Sequence, residues 1–117
     1  MRIRSSRVFP LICFCLLALV ATLSGQSPQG AISGTVTDGQ GSAVPGADVV
    51  ARNLGTNLSF KATTGPNGSY ALPILPIGDY EVTANFSGFK TFVRTGIRLE
   101  VSQRLRLDIP LELGQVS

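Results

Sequence analysis

The carboxylates are the residues of this 117-residue chain that could do chemistry: Asp38, Asp48, Asp79, Glu81, Glu100, Asp108 and Glu112. Paired acids can hydrolyse glycosides or hold divalent metals. The closest pair is Asp79 and Glu81. Two apart on an extended segment they project to one face, and Thr83 and Asn85 continue that face, so it reads as a solvated surface and no catalytic residue is assigned. Asp38, in Asp38-Gly39-Gln40-Gly41, lacks the further acids of a calcium loop and reads as an Asx-type turn former. The chain has no His, which removes Ser-His-Asp, Cys-His and His-rich metal sites. It has no phosphate loop, zinc spacing or nucleophile elbow either. The expectation is a non-enzyme with no catalytic residue, no metal site and no cofactor.

Binding chemistry leaves more to consider. Sugar sites commonly use exposed aromatic faces, and by period two Phe60, Tyr70, Tyr80 and Phe86 fall on inward positions. Phe89 and Phe92, beside the Gly88 turn, are therefore the candidate ligand-contact residues. The net charge of +3, from 10 Lys and Arg against 7 Asp and Glu, would suit a nucleic acid or an anionic membrane if the cations were clustered on a folded surface.

They are not. Arg2, Arg4 and Arg7 precede an uncharged apolar run from Val8 to Leu23, and Ser24, Gly25 and Gln26 follow it. A basic segment, a short apolar segment and a small-residue exit form the layout of a secretory signal. The run is shorter than the roughly 20 residues a membrane anchor needs and contains Pro10. Residues 1–24 are read as the signal peptide and 25–30 as a short linker. Cleavage after Ser24 leaves seven basic residues against seven acidic ones, a neutral domain with no nucleic-acid footprint. Cys13 and Cys15 depart with the leader, so the mature chain has no disulfide. Neither follows the small residue that a lipid-modification site requires.

From Gln26 onward Gly and Pro punctuate short alternating runs, the signature of an all-β sandwich. Seven strands are predicted: Ala31–Thr37, Ala47–Asn53, Leu58–Thr63, Ser69–Pro73, Asp79–Phe86, one within Lys90–Val101, and Arg104–Leu113. The expected inward positions are Ile32, Gly34, Val36; Ala47, Val49, Ala51; Leu58, Phe60, Ala62; Tyr70, Leu72; Tyr80, Val82, Ala84, Phe86; and Leu105, Leu107, Ile109, Leu111, Leu113. Gly65-Pro66-Asn67-Gly68 is the strongest turn signal. Tyr80, following Leu75-Pro76-Ile77-Gly78-Asp79, is placed to return its hydroxyl to upstream backbone. Pro110 marks its strand as an edge or a bulge.

Several strings together resemble the carboxypeptidase regulatory-like domain: Ile32-Ser33-Gly34-Thr35-Val36-Thr37-Asp38, Val44-Pro45-Gly46-Ala47, Thr63 to Tyr70, Gly78-Asp79-Tyr80 and Gly88-Phe89-Lys90. The resemblance implies a seven-stranded prealbumin- or transthyretin-like (Ig-like) sandwich over residues 31–113. It gives structural roles to Asp38, Gly41, Pro45, Gly46, Asn67, Gly68, Tyr70, Gly78, Tyr80 and Gly88, and it implies no peptidase activity. A signal peptide just ahead and Leu111-Glu112-Leu113-Gly114 just behind are similar to the N-terminal extension of TonB-dependent outer-membrane receptors of Acidobacteria. On that reading 114–117 is a tail leading toward a plug and barrel, and the chain is either a receptor fragment or a free-standing module. Two functions follow. One is an exported, non-catalytic interaction module of the bacterial periplasm or outer membrane, whose partner is a protein or the receptor's own plug and barrel, with the membrane met only through the signal or that barrel. The other is a carbohydrate-binding accessory module of a secreted protein. Three Asn-x-Ser sequons, at Asn57, Asn67 and Asn85, fit polar turns of a bacterial chain better than glycosylation.

Overall fold

The computed structural model describes residues 28–114; the expected signal peptide, the first half of the linker and the last three residues of the tail lie outside them. Within this range the alternating runs become strands. They are β1 (Gln29–Thr37), β2 (Asp48–Asn53), β3 (Ser59–Thr63), β4 (Ser69–Pro76), β5 (Gly78–Asn85), β6 (Phe92–Leu99), β7 (Arg104–Arg106) and β8 (Ile109–Pro110). One sheet has the order β4-β1-β7, with β8 also pairing with β1; the other has the order β3-β2-β5-β6. The first sheet mixes antiparallel β1–β4 with parallel β1–β7 and β1–β8 pairs, whereas the second is antiparallel throughout. β3 and β4 pack against each other along one side of the sandwich, and β6 makes no comparable contact with β7 or β8 on the other.

Period-two alternation decides the core. Ile32 and Val36 of β1, Val49 and Ala51 of β2, Tyr80, Val82 and Ala84 of β5, and Ile109 are all fully buried. Burying such side chains between the sheets supplies the main driving force for a domain without disulfides. Polar groups caught inside are satisfied: Thr64 donates its hydroxyl to the Val44 carbonyl and accepts from the Ala47 amide, and Asn53 accepts from the amides of Gly55 and Thr56.

The structure corrects the expected pattern at strand ends. Leu58, Phe86 and Leu113 were expected inward but are 57%, 37% and 73% exposed. Leu58 and Phe86 lie one residue outside β3 and β5, where the chain has begun to turn, and Leu113 lies three residues past β8, where the chain bridges to Phe89 in place of the core. Leu105 is only partly buried because β7 is an edge strand. β1 begins at Gln29, two residues before the expected domain start, and β4 continues to Pro76 through Pro73. The prolines are tolerated because β4 is an edge strand and needs no donor on its open side.

The expected seventh strand is divided, and the break comes at Leu107–Asp108 rather than at Pro110. Gly34 explains it. A Cβ on Gly34 would lie 1.9 Å from the Leu107 carbonyl oxygen, so the Leu107 backbone occupies the space that a side chain would fill on the inner face of β1. Having left the sheet, the segment is held by other bonds. The Leu107 amide donates to the Ser33 carbonyl and the Leu111 amide to the Thr37 carbonyl, while the Asp108 carboxylate accepts from the Thr35 amide at 3.0 Å.

Candidate functional site

Asp79 and Glu81 face water and are spent on cross-strand ion pairs. Asp79 sits opposite Arg98 and Glu81 opposite Arg52, with N···O distances of 3.4 and 3.3 Å. Lys61 and Asp48 make a third pair on the same sheet at 3.7 Å. Such exposed pairs contribute little stability, about 0–1 kcal/mol each, but they fix the charge pattern of that face. Asp38 behaves as a turn former: its Oδ1 accepts from the amides of Gln40 and Ser42 at 2.9 and 3.0 Å. The described residues contain no group of three potential metal ligands.

The motif glycines Gly41, Gly46, Gly68, Gly78 and Gly88 all have positive φ. Gly68 combines that conformation with close approach, since a Cβ there would lie 2.7 Å from the Val36 carbonyl oxygen. Its amide closes the turn onto Gly65, with Pro66 and Asn67 exposed at the tip. Pro45 and Gly46 form the exposed approach to β2, where the Gly46 amide bonds the Thr64 carbonyl. Tyr80 donates to the Pro76 carbonyl at 2.6 Å, the corner its sequence position implied.

Phe89 and Phe92 do not form one platform. Both are half-buried against the core, and they line two clefts that share Glu112. Phe89, with Asp38, Gly39, Gln40 and Leu113, borders a cleft of 370 Å³; its ring stands 6.0 Å from that of Phe86 at 53°. Phe92, with Lys90, Thr91, Val93 and Pro110, borders one of 280 Å³. Between them the chain's exit is strapped down: Lys90 N–H donates to the Glu112 carbonyl and Gly114 N–H to the Gly88 carbonyl.

Sequence reasoning missed the polar group at the other end of this exit segment. Asp108 accepts from the Thr35 amide, the Thr35 hydroxyl and Arg106 Nε. Those bonds, the amide's foremost, hold its carboxyl below the ordinary value. Nearby, Tyr70 donates its hydroxyl to the Leu107 carbonyl. Burial, reinforced by the Asp108 charge and opposed by Arg106, pushes the Tyr70 phenol up to about 12. The only sequence signal was the Gly34–Asp108 combination, which is legible only once the two segments are known to cross.

Tyr70 makes stability pH-dependent at the alkaline end. Its folded pKa is above the unfolded value near 10, so the folded state holds the proton more tightly. The stabilisation is fully present below pH about 10 and is lost as pH rises toward about 12, a loss of about 2–3 kcal/mol. Urea midpoints measured across that interval should fall steeply for the wild type and more shallowly for Tyr70→Phe; parallel curves would show that Tyr70 is not the titrating group.

The chain belongs to the carboxypeptidase regulatory-like domain family, whose model matches residues 31–112. It is 38% identical over 90 residues to the TonB-dependent transporter Oar of Myxococcus xanthus, a match that covers 73% of this chain and 8% of the transporter. The chain thus corresponds to a small part of that relative. Solved structures share the sandwich at low identity. The Bacillus anthracis TIE protein superposes with a TM-score of 0.62 at 22% identity, covering 74% of this chain and 17% of that one. A putative carbohydrate-binding protein of Bacteroides uniformis gives 0.57 at 21%, covering 73% and 42%. Hydroxyquinol 1,2-dioxygenase of Pseudomonas putida gives 0.62 at 10%, covering 78% and 58%. A fold spread over such different proteins leaves function to the individual surface.

Proposed function

We propose that this chain is an exported, non-catalytic β-sandwich interaction module that serves as the N-terminal periplasmic extension of a TonB-dependent receptor. The observation that carries this reading is the 90-residue similarity to a TonB-dependent transporter, in a chain whose start has the order of an export signal. The chemistry agrees with it. The paired acids that could have done hydrolysis are engaged in ion pairs on an open sheet face, so the module works by contact through its edges and turns. The test is processing and fractionation in a Gram-negative host. The expected product has lost residues 1–24 and is recovered with the periplasm or outer membrane; an unprocessed chain in the cytoplasm overturns the proposal.

Carbohydrate binding is a second reading, favoured by one feature: the 370 Å³ cleft sets the Phe89 ring beside Asp38, Gln40 and Glu112, an apolar face rimmed by hydrogen-bonding groups. Calorimetric titration with oligosaccharides decides between the two. Saturable heat that disappears in Phe89→Ala replaces the first reading with the second, and no saturable heat ends the second.

A further inference from the structure

We propose that the free edge of β6 accepts an extended acidic segment of a partner protein as an added antiparallel strand, with a carboxylate set against Arg94 and an apolar side chain two residues later against Phe92. This deepens the interaction-module reading and rests on it.

Among the described residues two eight-residue strands, β4 and β6, pair on one side only, and β6 is the one without proline, a residue that blunts an edge by removing a donor. Residues Phe92–Leu99 make no backbone hydrogen bond beyond their ladder to β5. On the opposite side of the sandwich β3 and β4 lie against each other without pairing, with Pro73 and Pro76 along β4, and the edge of the first sheet that faces β6 offers only three-residue β7 and two-residue β8. Within β6 the usable run is short. Two residues, Thr95 and Gly96, stand opposite Glu81 where the register shifts, and Gly96 takes a φ of 74°. Such a bulge ends regular pairing, which leaves Phe92–Thr95 as the template.

The side chains on that run define the partner. Phe92 and Arg94 lie opposite Ala84 and Val82, both fully buried, so the two project toward the inner side of the sheet, at the seam that β7 and β8 do not cover. The Arg94 guanidinium carbon stands 6.0 Å from the Phe92 ring centroid, and the 280 Å³ cleft opens beside Phe92, between it and Pro110 of β8. Among the described residues every other cation except Arg104 has a carboxylate partner within 4.0 Å. Arg94 is therefore an uncompensated charge on a free edge, beside an apolar ring.

Directly opposed residues on an added strand share a face. An antiparallel segment with acid-x-apolar spacing therefore satisfies the ion pair and fills the seam together, while its backbone bonds the open edge. The second sheet is antiparallel throughout, so this orientation extends it without change. A second copy of the chain fits poorly, because antiparallel self-pairing centred on Arg94 would set two guanidinium groups against each other; charge on an exposed edge is a common guard against such pairing.

The test is titration of the 15N-labelled full chain with acetyl-Thr-Thr-Glu-Thr-Val-Thr-Thr-amide. Saturable amide shifts are expected at residues 92–95, weakening at least fivefold when Glu in the peptide becomes Lys or when the protein carries Arg94→Glu. Arg94 is exposed, so the variant should keep its dispersed spectrum, and it should recover affinity for the Lys peptide. The same affinity for both peptides, shifts confined to another surface, or no saturable shift overturns the proposal. Shifts at β6 that grow with protein concentration alone assign the edge to a second copy and also overturn it. A chain that is processed and exported but fails this titration loses the β6 site only, whereas retention in the cytoplasm removes the receptor reading itself.

Discussion

Gly34→Ala is expected to abolish folding or to lower stability by about 4 kcal/mol or more, the largest effect of any single methyl group in the domain. The added Cβ would sit 1.9 Å from the Leu107 carbonyl oxygen and 2.6 Å from its carbonyl carbon. These are backbone atoms, so no rotamer change relieves the overlap. Leu107 cannot move outward without cost, because its carbonyl is the acceptor for the Tyr70 hydroxyl and its amide is bonded to the Ser33 carbonyl. Displacing it would also draw Asp108 away from the Thr35 amide, leaving a backbone donor without its partner. The comparison is Gly39→Ala, where a Cβ meets nothing within 4 Å and the change should stay within about 0.5 kcal/mol. Urea denaturation of the two variants checks the pair. Equal midpoints would mean that the exit segment does not cross β1 at Gly34.

That crossing marks the limit of what the sequence discloses. Alternation located β2 and β5 closely because both are central strands with one face on the core and one in water, so Val49, Ala51, Val82 and Ala84 had a single consistent register. Turn chemistry was equally direct: Asp38 and Tyr80 make local bonds, within a few residues of themselves, and such bonds leave a trace in neighbouring residue types. The division of the last strand had no local trace. Arg104 to Leu113 alternates without a fault, and the cause of its break lies some seventy residues earlier in the inward-facing Gly34. Proline was the obvious suspect, yet Pro110 remains in β8 on the open side of the sheet.

The candidate site divides in the same way. Phe89 and Phe92 could be picked out as aromatics displaced from the alternating pattern by the Gly88 turn, and both do border clefts. Their separation depends on where the exit segment returns, because Glu112 and Leu113 are bonded between the two sheets through the Gly88–Lys90 turn. Arg94 was hidden for another reason. A cation on an edge strand looks like any surface charge until the ion pairs of its neighbours are known, and only the register of β5 on β6 shows that it shares the inner side with Phe92.

Leu107→Ala and Val82→Ala should each cost about 2–4 kcal/mol, with Leu107 toward the upper part of that interval. Val82 is fully buried at the centre of β5, between β2 and β6, where strands on both sides prevent collapse around the lost methyl groups. Leu107 is 8% exposed but larger, and it lies in the segment that has left the sheet to pass over Gly34. Its side chain therefore anchors the same residue whose carbonyl receives the Tyr70 hydroxyl. Truncating it removes apolar burial and loosens that acceptor, so Leu107→Ala combined with Tyr70→Phe should cost less than the sum of the two single changes, as expected for residues sharing one contact. A double-mutant cycle read by urea denaturation measures that coupling. Strict additivity would separate the leucine's packing from the hydroxyl's hydrogen bond, and unchanged stability in Val82→Ala would place the register of β5 one residue out of step.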